Sequence, residues 1–148
     1  LADLAFVRAD SIDSALAVYS LSAVGDLSRV FRQLHRVLKP ESPLVISLPH
    51  PLSLMVDWDP GEGPTPWLNR TAWSADAVTW MVAGDEGTAH IHQISAVFTA
   101  LQRSNFRIDT LLEPEPLLAA EESSSPHRIP SDAWVPPTVV FRARKHGT

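Results

Sequence analysis

The sequence predicts an α/β domain built on parallel strands, and three stretches carry that prediction. Asp26 to Pro40 places Leu27, Val30, Phe31, Leu34, Val37 and Leu38 at spacings of three and four. That is one apolar stripe on a helix, with Arg29, Arg32, Gln33 and Arg36 on the solvent side. Pro43 to Pro49 follows at once; its Leu44–Leu48 run, short, apolar and bounded by prolines, has the pattern of a strand buried on both faces. Ahead of both, Ser14 to Ser20 is a buried strand of small and branched residues. The order strand, helix, strand makes the two strands parallel, because the helix returns the chain to its starting edge.

Asp26 is suited to cap the helix and Lys39-Pro40 to stop it, since proline cannot extend the hydrogen-bond ladder. Upstream, Leu4 and Phe6 are core candidates and Asp10 to Asp13 is a turn. Downstream, Pro49 to Gly63 dissolves into Pro, Gly, Asp and Trp and reads as a loop crossing the top of the sheet. Ala77 to Ala83 has the composition of a strand, and Gly84 to Gly87 that of a tight turn. Ile91 to Arg103 returns to helical spacing, with Ile94, Val97, Phe98 and Leu101 on one face and Asn105 suited to a left-handed cap. Arg107 to Glu113 and Thr138 to Arg144 read as the last strands, Leu117 to Glu122 as a helical turn, and Ser123 to Pro126 as a flexible loop.

A length of 148 residues fits one domain with a real core. The formal charge of −5 argues against a nucleic-acid surface, which needs a basic face, and no apolar run approaches a membrane span. The absence of cysteine excludes disulfides and thiolate chemistry and fits a cytoplasmic protein. The chain opens at Leu1 without methionine, as a processed protein or a fragment does.

Taken together, Leu4-Ala-Phe6, the strand-opening Asp13 and the helix ending Arg36-Val-Leu-Lys-Pro40 resemble the middle of a class I S-adenosylmethionine-dependent methyltransferase. Asn105-Phe106-Arg107, Leu112-Glu113-Pro114 and Val139 to Arg144 resemble later turns and strands of the same family. The resemblance implies a partial Rossmann-like fold from the fourth strand onward, a mostly parallel sheet with an antiparallel last strand. It implies one partial domain over 1–148, with 50–90 as a lid or acceptor insertion. The Gly-rich turn that brings backbone close to the cofactor is missing: none of the six glycines follows a strand and opens a helix. Half of an S-adenosylmethionine site is therefore expected. By resemblance, Leu1 and Ala2 lie beside the adenine, Tyr19, Ser20 and Leu21 flank the methionine portion, and Val24 closes beneath it.

The sequence departs from the family at Ser22-Ala23, where relatives carry His-His, at Gln33, where they carry Glu, and at Glu41-Ser42, where they carry Gly-Gly. A turn needing positive φ penalises a side chain there by roughly 1 kcal/mol, so either this turn differs or its constraint has relaxed. These departures support a second reading, a non-catalytic binding or assembly module that kept the fold. A third is an oligomer in which the exposed edge of the first strand pairs with a second copy.

His50, between two prolines just past a strand's carboxyl end, is the candidate general base, set against the plainer reading of a rigid exposed loop. His90 and His92 share a face only on a strand and lack the further ligands a metal needs, so contact with a small-molecule acceptor is the better functional reading and no metal is expected. Trp58, with Trp67 and Trp73, lies in the irregular middle, either lining an acceptor pocket or holding a loop-rich region together. Asp57, Asp59 and Glu62 read as solvated loop carboxylates, and Arg142, Arg144 and Lys145 as charges guarding an edge strand. On this reading the partners are an acceptor, the missing amino-terminal half or a second copy, and the isolated chain is inactive.

Overall fold

The computed structural model describes residues 3–57, 61, 63, 65–82, 85–115 and 134–147. Strand β1 (Ala15–Val18), helix α1 (Leu27–Val37) and strand β2 (Pro43–Pro49) form the expected unit, and β1 pairs with β2 in parallel. The Asp26 carboxylate caps α1 by accepting from the Ser28 N–H at 3.0 Å. Helix α3 (Ile94–Arg103), strand β7 (Phe106–Leu112) and strand β8 (Thr138–Lys145) complete the main body. Asn105 adopts φ 58°, the left-handed exit expected for it. The predicted elements at Leu117–Glu122 and Ser123–Pro126 lie outside the described residues.

The main sheet has the order β1-β2-β8-β7 among the described residues. Two of its three ladders, β2 with β8 and β8 with β7, are antiparallel, which corrects the expectation of a mostly parallel sheet. The cause is the position of β8: it starts at the edge where β7 ends, runs back beside it, and inserts between β7 and β2. Strands β1, β2 and β7 thus share one direction and β8 alone opposes them.

One face of the sheet carries the core. Leu44, Ile46 and Leu48 of β2 and Val139, Phe141 and Ala143 of β8 pack under Val30, Phe31 and Leu38 and under Val97 and Leu101 of α3. Phe31 and Phe141 are wholly buried, and side chains of that size each contribute roughly 1.5–3 kcal/mol when removed from water. Because β2 alternates fully and half-buried residues, only one of its faces is sealed, not the two expected. On the other face Leu16 and Val18 of β1 are 71% and 58% exposed. Phe6, expected in the core, is 86% exposed.

Four charged residues differ from their sequence reading. Arg36, assigned to the solvent side, clamps the opening segment: Nη1 donates to the Val7 carbonyl at 2.9 Å and Nη2 to that of Leu4 at 2.7 Å. Strand β8 is interior to the sheet, so Arg142 and Arg144 guard no edge; they pair with Asp109 of the neighbouring strand at 2.6 and 3.1 Å. Those two guanidiniums hold the Asp109 carboxyl below the usual carboxylate range. Lys145 is 3% exposed and donates to Asp10 at 2.5 Å and to the Leu38 carbonyl at 3.0 Å.

Pro49 to Gly63 is not wholly a loop. His50 and Pro51 start the short helix α2 (Pro51–Met55), because proline at a first helical position costs no hydrogen bond. Strand β3 (Val56–Asp57) pairs with β4 (Trp67–Leu68), and β5 (Val78–Val82) pairs with β6 (Asp85–Ala89), giving two small satellite ladders. Asp85 to Gly87 therefore belong to a strand, not to a tight turn.

The turn after α1 keeps positive φ in spite of its side chain: Glu41 sits at φ 63°. Its N–H donates to the Lys145 carbonyl at 3.1 Å and its carbonyl accepts from Arg144 at 3.1 Å, so β8 holds the strained residue in place. The Glu41–Arg107 ion pair joins two well-exposed side chains and adds little. Glu41→Gly is expected to raise stability by roughly 0.5–1 kcal/mol, read as a higher urea midpoint at unchanged slope.

Candidate active site

Three strand ends and one strand start meet at a single edge of the main sheet. Tyr19 follows β1, His50 follows β2, Glu113 follows β7, and Thr138 opens β8. α/β sheets place ligands at the carboxyl ends of their parallel strands. Tyr19 turns the chain at φ 52°, donates its N–H to Ser47 at 3.0 Å, and hydrogen-bonds through its hydroxyl to that of Thr138.

His50 is 3% exposed, and both of its ring nitrogens are engaged. Nδ1 accepts from the Leu52 N–H at 3.1 Å and so caps α2. A nitrogen that accepts from a backbone N–H carries no proton, which leaves the hydrogen on Nε2. Nε2 then donates to Glu113 Oε1 at 2.9 Å. In this geometry the imidazole has no lone pair to offer a substrate, and the carboxylate it supports is 47% exposed. The pair borders a cavity of about 680 Å³ whose apolar lining includes Leu52, Met55, Ile94 and Phe98. That volume falls within the roughly 300–1,000 Å³ typical of small-molecule sites.

Glu113 was overlooked as a site residue. The signal was present: His50-Pro51 and Glu113-Pro114 each mark the end of a strand running the same way, and such ends gather at one edge.

A second group of residues meets on the loop after β1. Ser22 closes that loop through its hydroxyl, which donates to the Tyr19 carbonyl at 2.7 Å. The His90 N–H donates to the Ser22 carbonyl at 2.8 Å, and the His90 ring lies 3.5 Å from where a Cβ on Gly25 would stand. His92 bonds to the backbone of Val24, while its Nε2 is buried with no hydrogen-bond partner. The His90 and His92 rings lie 6.0 Å apart, and among the described residues no three His, Cys, Asp or Glu side chains form a metal set. Gln93, next in sequence, borders the cavity and donates to the Ala72 carbonyl at 2.6 Å. The segment 90–93 thus joins the loop after β1 to the His50–Glu113 cavity.

Of the remaining predicted site residues, Ser20 is exposed and Val24 half-buried, whereas Leu21 is a core residue that can offer a ligand only its backbone. Leu1, Ala2 and Trp58 lie outside the described residues, as do Asp59 and Glu62. Asp57 accepts from the Asn69 amide at 3.1 Å. Trp73 is 83% exposed and does not hold the middle region together.

Comparison with solved structures gives this edge a context. An S-adenosylmethionine-dependent methyltransferase of Mesorhizobium loti superposes with a TM-score of 0.70 at 25% identity, over 93% of this chain and 63% of its own. One from Clostridium acetobutylicum gives 0.63 at 12% identity over 99% and 62%, and one from Methanosarcina mazei 0.58 at 17% over 99% and 65%. The chain has a class I methyltransferase-like fold. It spans less than two thirds of the length of these structures. No family model matches the sequence, and no curated protein does.

The methyltransferase-like fold implies S-adenosylmethionine, and the described residues meet that requirement only in part. Ser20 and the loop to Gly25 present one wall at the carboxyl edge. Gly25, Gly63 and Gly147 form no close-approach cradle: a Cβ on Gly25 makes ordinary contact with His90, and one on Gly63 or Gly147 meets nothing within 4 Å. The described residues by themselves do not enclose the cofactor.

Burial, and secondarily the neighbouring His90, push the His92 pKa below its ordinary value, with the Val24 backbone opposing. The unfolded chain therefore binds the proton more readily. Stability falls as pH drops through about 6.5, and the loss is complete below the depressed folded value. His92→Phe is expected to shrink the difference between urea midpoints at pH 7.5 and 5.0; an unchanged difference assigns the acid sensitivity to other groups.

Proposed function

We propose that this chain is part of an S-adenosylmethionine-dependent methyltransferase acting on a small molecule, and that it supplies the acceptor side of the site. Bound S-adenosylmethionine supplies an electrophilic methyl group. The residues of this chain hold the acceptor and exclude water, since positioning dominates such transfers. His50 is a positioning residue that fixes Glu113, while Tyr19, Ser20, the Leu21 backbone and Val24 form the wall facing the methionine portion. His90 and His92 join that wall to the acceptor cavity, and α2 with the two satellite ladders, over 50–90, serves as the lid.

The observation that carries this reading is the edge itself: Tyr19, His50 and Glu113 stand at the ends of three strands that run the same way. The fold is read further as the portion of a Rossmann-like domain from the fourth strand onward. Supporting this, β1 is the outer strand of the described sheet, and Leu16 and Val18 leave one of its faces without a covering layer. A glycine-rich half, covalent or separate, completes the site.

Isothermal titration of this chain alone with S-adenosylhomocysteine is expected to give no saturable heat. A glycine-rich half of a class I methyltransferase, supplied in trans, restores saturation. Micromolar binding by the chain alone overturns the half-site reading, and so does a folded, mixed complex that still fails to bind.

A further inference from the structure

The cavity beside α2 has an electrostatic character that the methyl-transfer reading does not use. We propose that it selects an organic amine, bound as the ammonium, with an apolar and preferably aromatic body. This deepens the acceptor reading above and rests on it only for calling the ligand an acceptor.

Glu113 is a carboxylate bordering an otherwise largely apolar cavity, and no Lys or Arg is among the described lining residues. Its Oε1 is held at 2.9 Å by an imidazole N–H, and that imidazole is in turn fixed by the Leu52 N–H. Because Nδ1 is occupied by the helix cap, His50 stays a neutral donor in this arrangement and does not cancel the negative charge of Glu113. The polar end of the cavity is thus an oriented anion with a buried support. A carboxylate so placed accepts charge-assisted hydrogen bonds, which are about twice as strong as neutral ones. It repels a ligand carboxylate or phosphate, since no cation among the described lining residues offsets it. Phe98 of α3 is 39% exposed and, with Ile94 one turn before it and Leu52 and Met55 of α2, lines a cavity whose volume admits an aromatic ring.

The same carboxylate also meets the chemical need of an amine. An ammonium has no lone pair for attack. Transfer of one proton to Glu113 breaks an N–H bond, forms an O–H bond, and leaves a neutral amine beside a neutral carboxylic acid.

The test is binding of the intact chain to three isosteric probes at pH 7, followed by NMR titration: phenethylamine, 2-phenylethanol and 3-phenylpropionate. Phenethylamine is expected to bind about tenfold more tightly than the alcohol, with no binding of the acid. Glu113→Gln, at a half-exposed site, is expected to abolish the amine preference by weakening the amine far more than the alcohol. Phe98→Ala, also at a partly exposed site, weakens amine and alcohol alike. The proposal is overturned if the acid binds as well as the amine, if Glu113→Gln preserves the amine-to-alcohol ratio, if Phe98→Ala has no effect, or if none of the probes binds. No cofactor enters these measurements, so their failure removes the amine assignment alone, and a failed cofactor titration leaves the amine result standing.

Discussion

The structure depends first on burying the apolar stripe of α1 between two parallel strands. Val30, Phe31 and Leu38 meet Leu44 and Ile46 of β2 and Phe141 of β8, and this contact fixes α1 on one face of the sheet. With the helix so placed, β1 and β2 must run the same way, and their carboxyl ends must fall at the same edge. The candidate site follows from that edge: Tyr19 and His50 stand at the carboxyl ends of two strands that α1 connects. The clamp from Arg36 to the Leu4 and Val7 carbonyls extends the same constraint to the opening segment.

Elements set by local periodicity were legible in the sequence. The stripe of α1, the β2 run bounded by prolines, the Asp26 cap and the left-handed exit at Asn105 each rest on a few adjacent residues. What escaped depends on partners far along the chain. The ladder of β8 between β2 and β7 is a choice of neighbours, and no periodicity inside Thr138–Lys145 encodes it. The burial of Lys145 follows from that choice, because the strand's end then lies against Asp10 and the Leu38 carbonyl. Helix α2 was hidden for a different reason. Pro-His-Pro reads as a stiff loop, yet its histidine is a cap and its second proline a helix start.

The candidate site was legible by position and not by role. His50 was found because it follows a strand, and His90 and His92 because of their spacing. Chemistry was then assigned from residue type, which made the histidine a base. Coordinates add what type cannot supply: the direction of each hydrogen bond. Once Nδ1 is seen to accept from Leu52, the proton is placed on Nε2, and the group with a lone pair facing the cavity becomes Glu113.

The His50–Glu113 cavity and the β1 edge differ in how fully the described residues satisfy them. Around the cavity the polar contacts close locally: His50 with Leu52 and Glu113, Gln93 with Ala72, His90 with Ser22. Such a wall keeps its shape without a ligand, because each bond is made to backbone or to a side chain already fixed. On the β1 side the described residues leave a strand edge without a ladder and two large apolar side chains in water. Hydrophobic burial is the main favourable term in folding, so an outer strand with that exposure gains stability from a neighbour, whereas the His50–Glu113 cavity does not need one. The two sides are therefore separable in physical terms: the His50–Glu113 cavity is held by hydrogen bonds made within this chain, and the outer edge of β1 is open to a neighbour among the described residues.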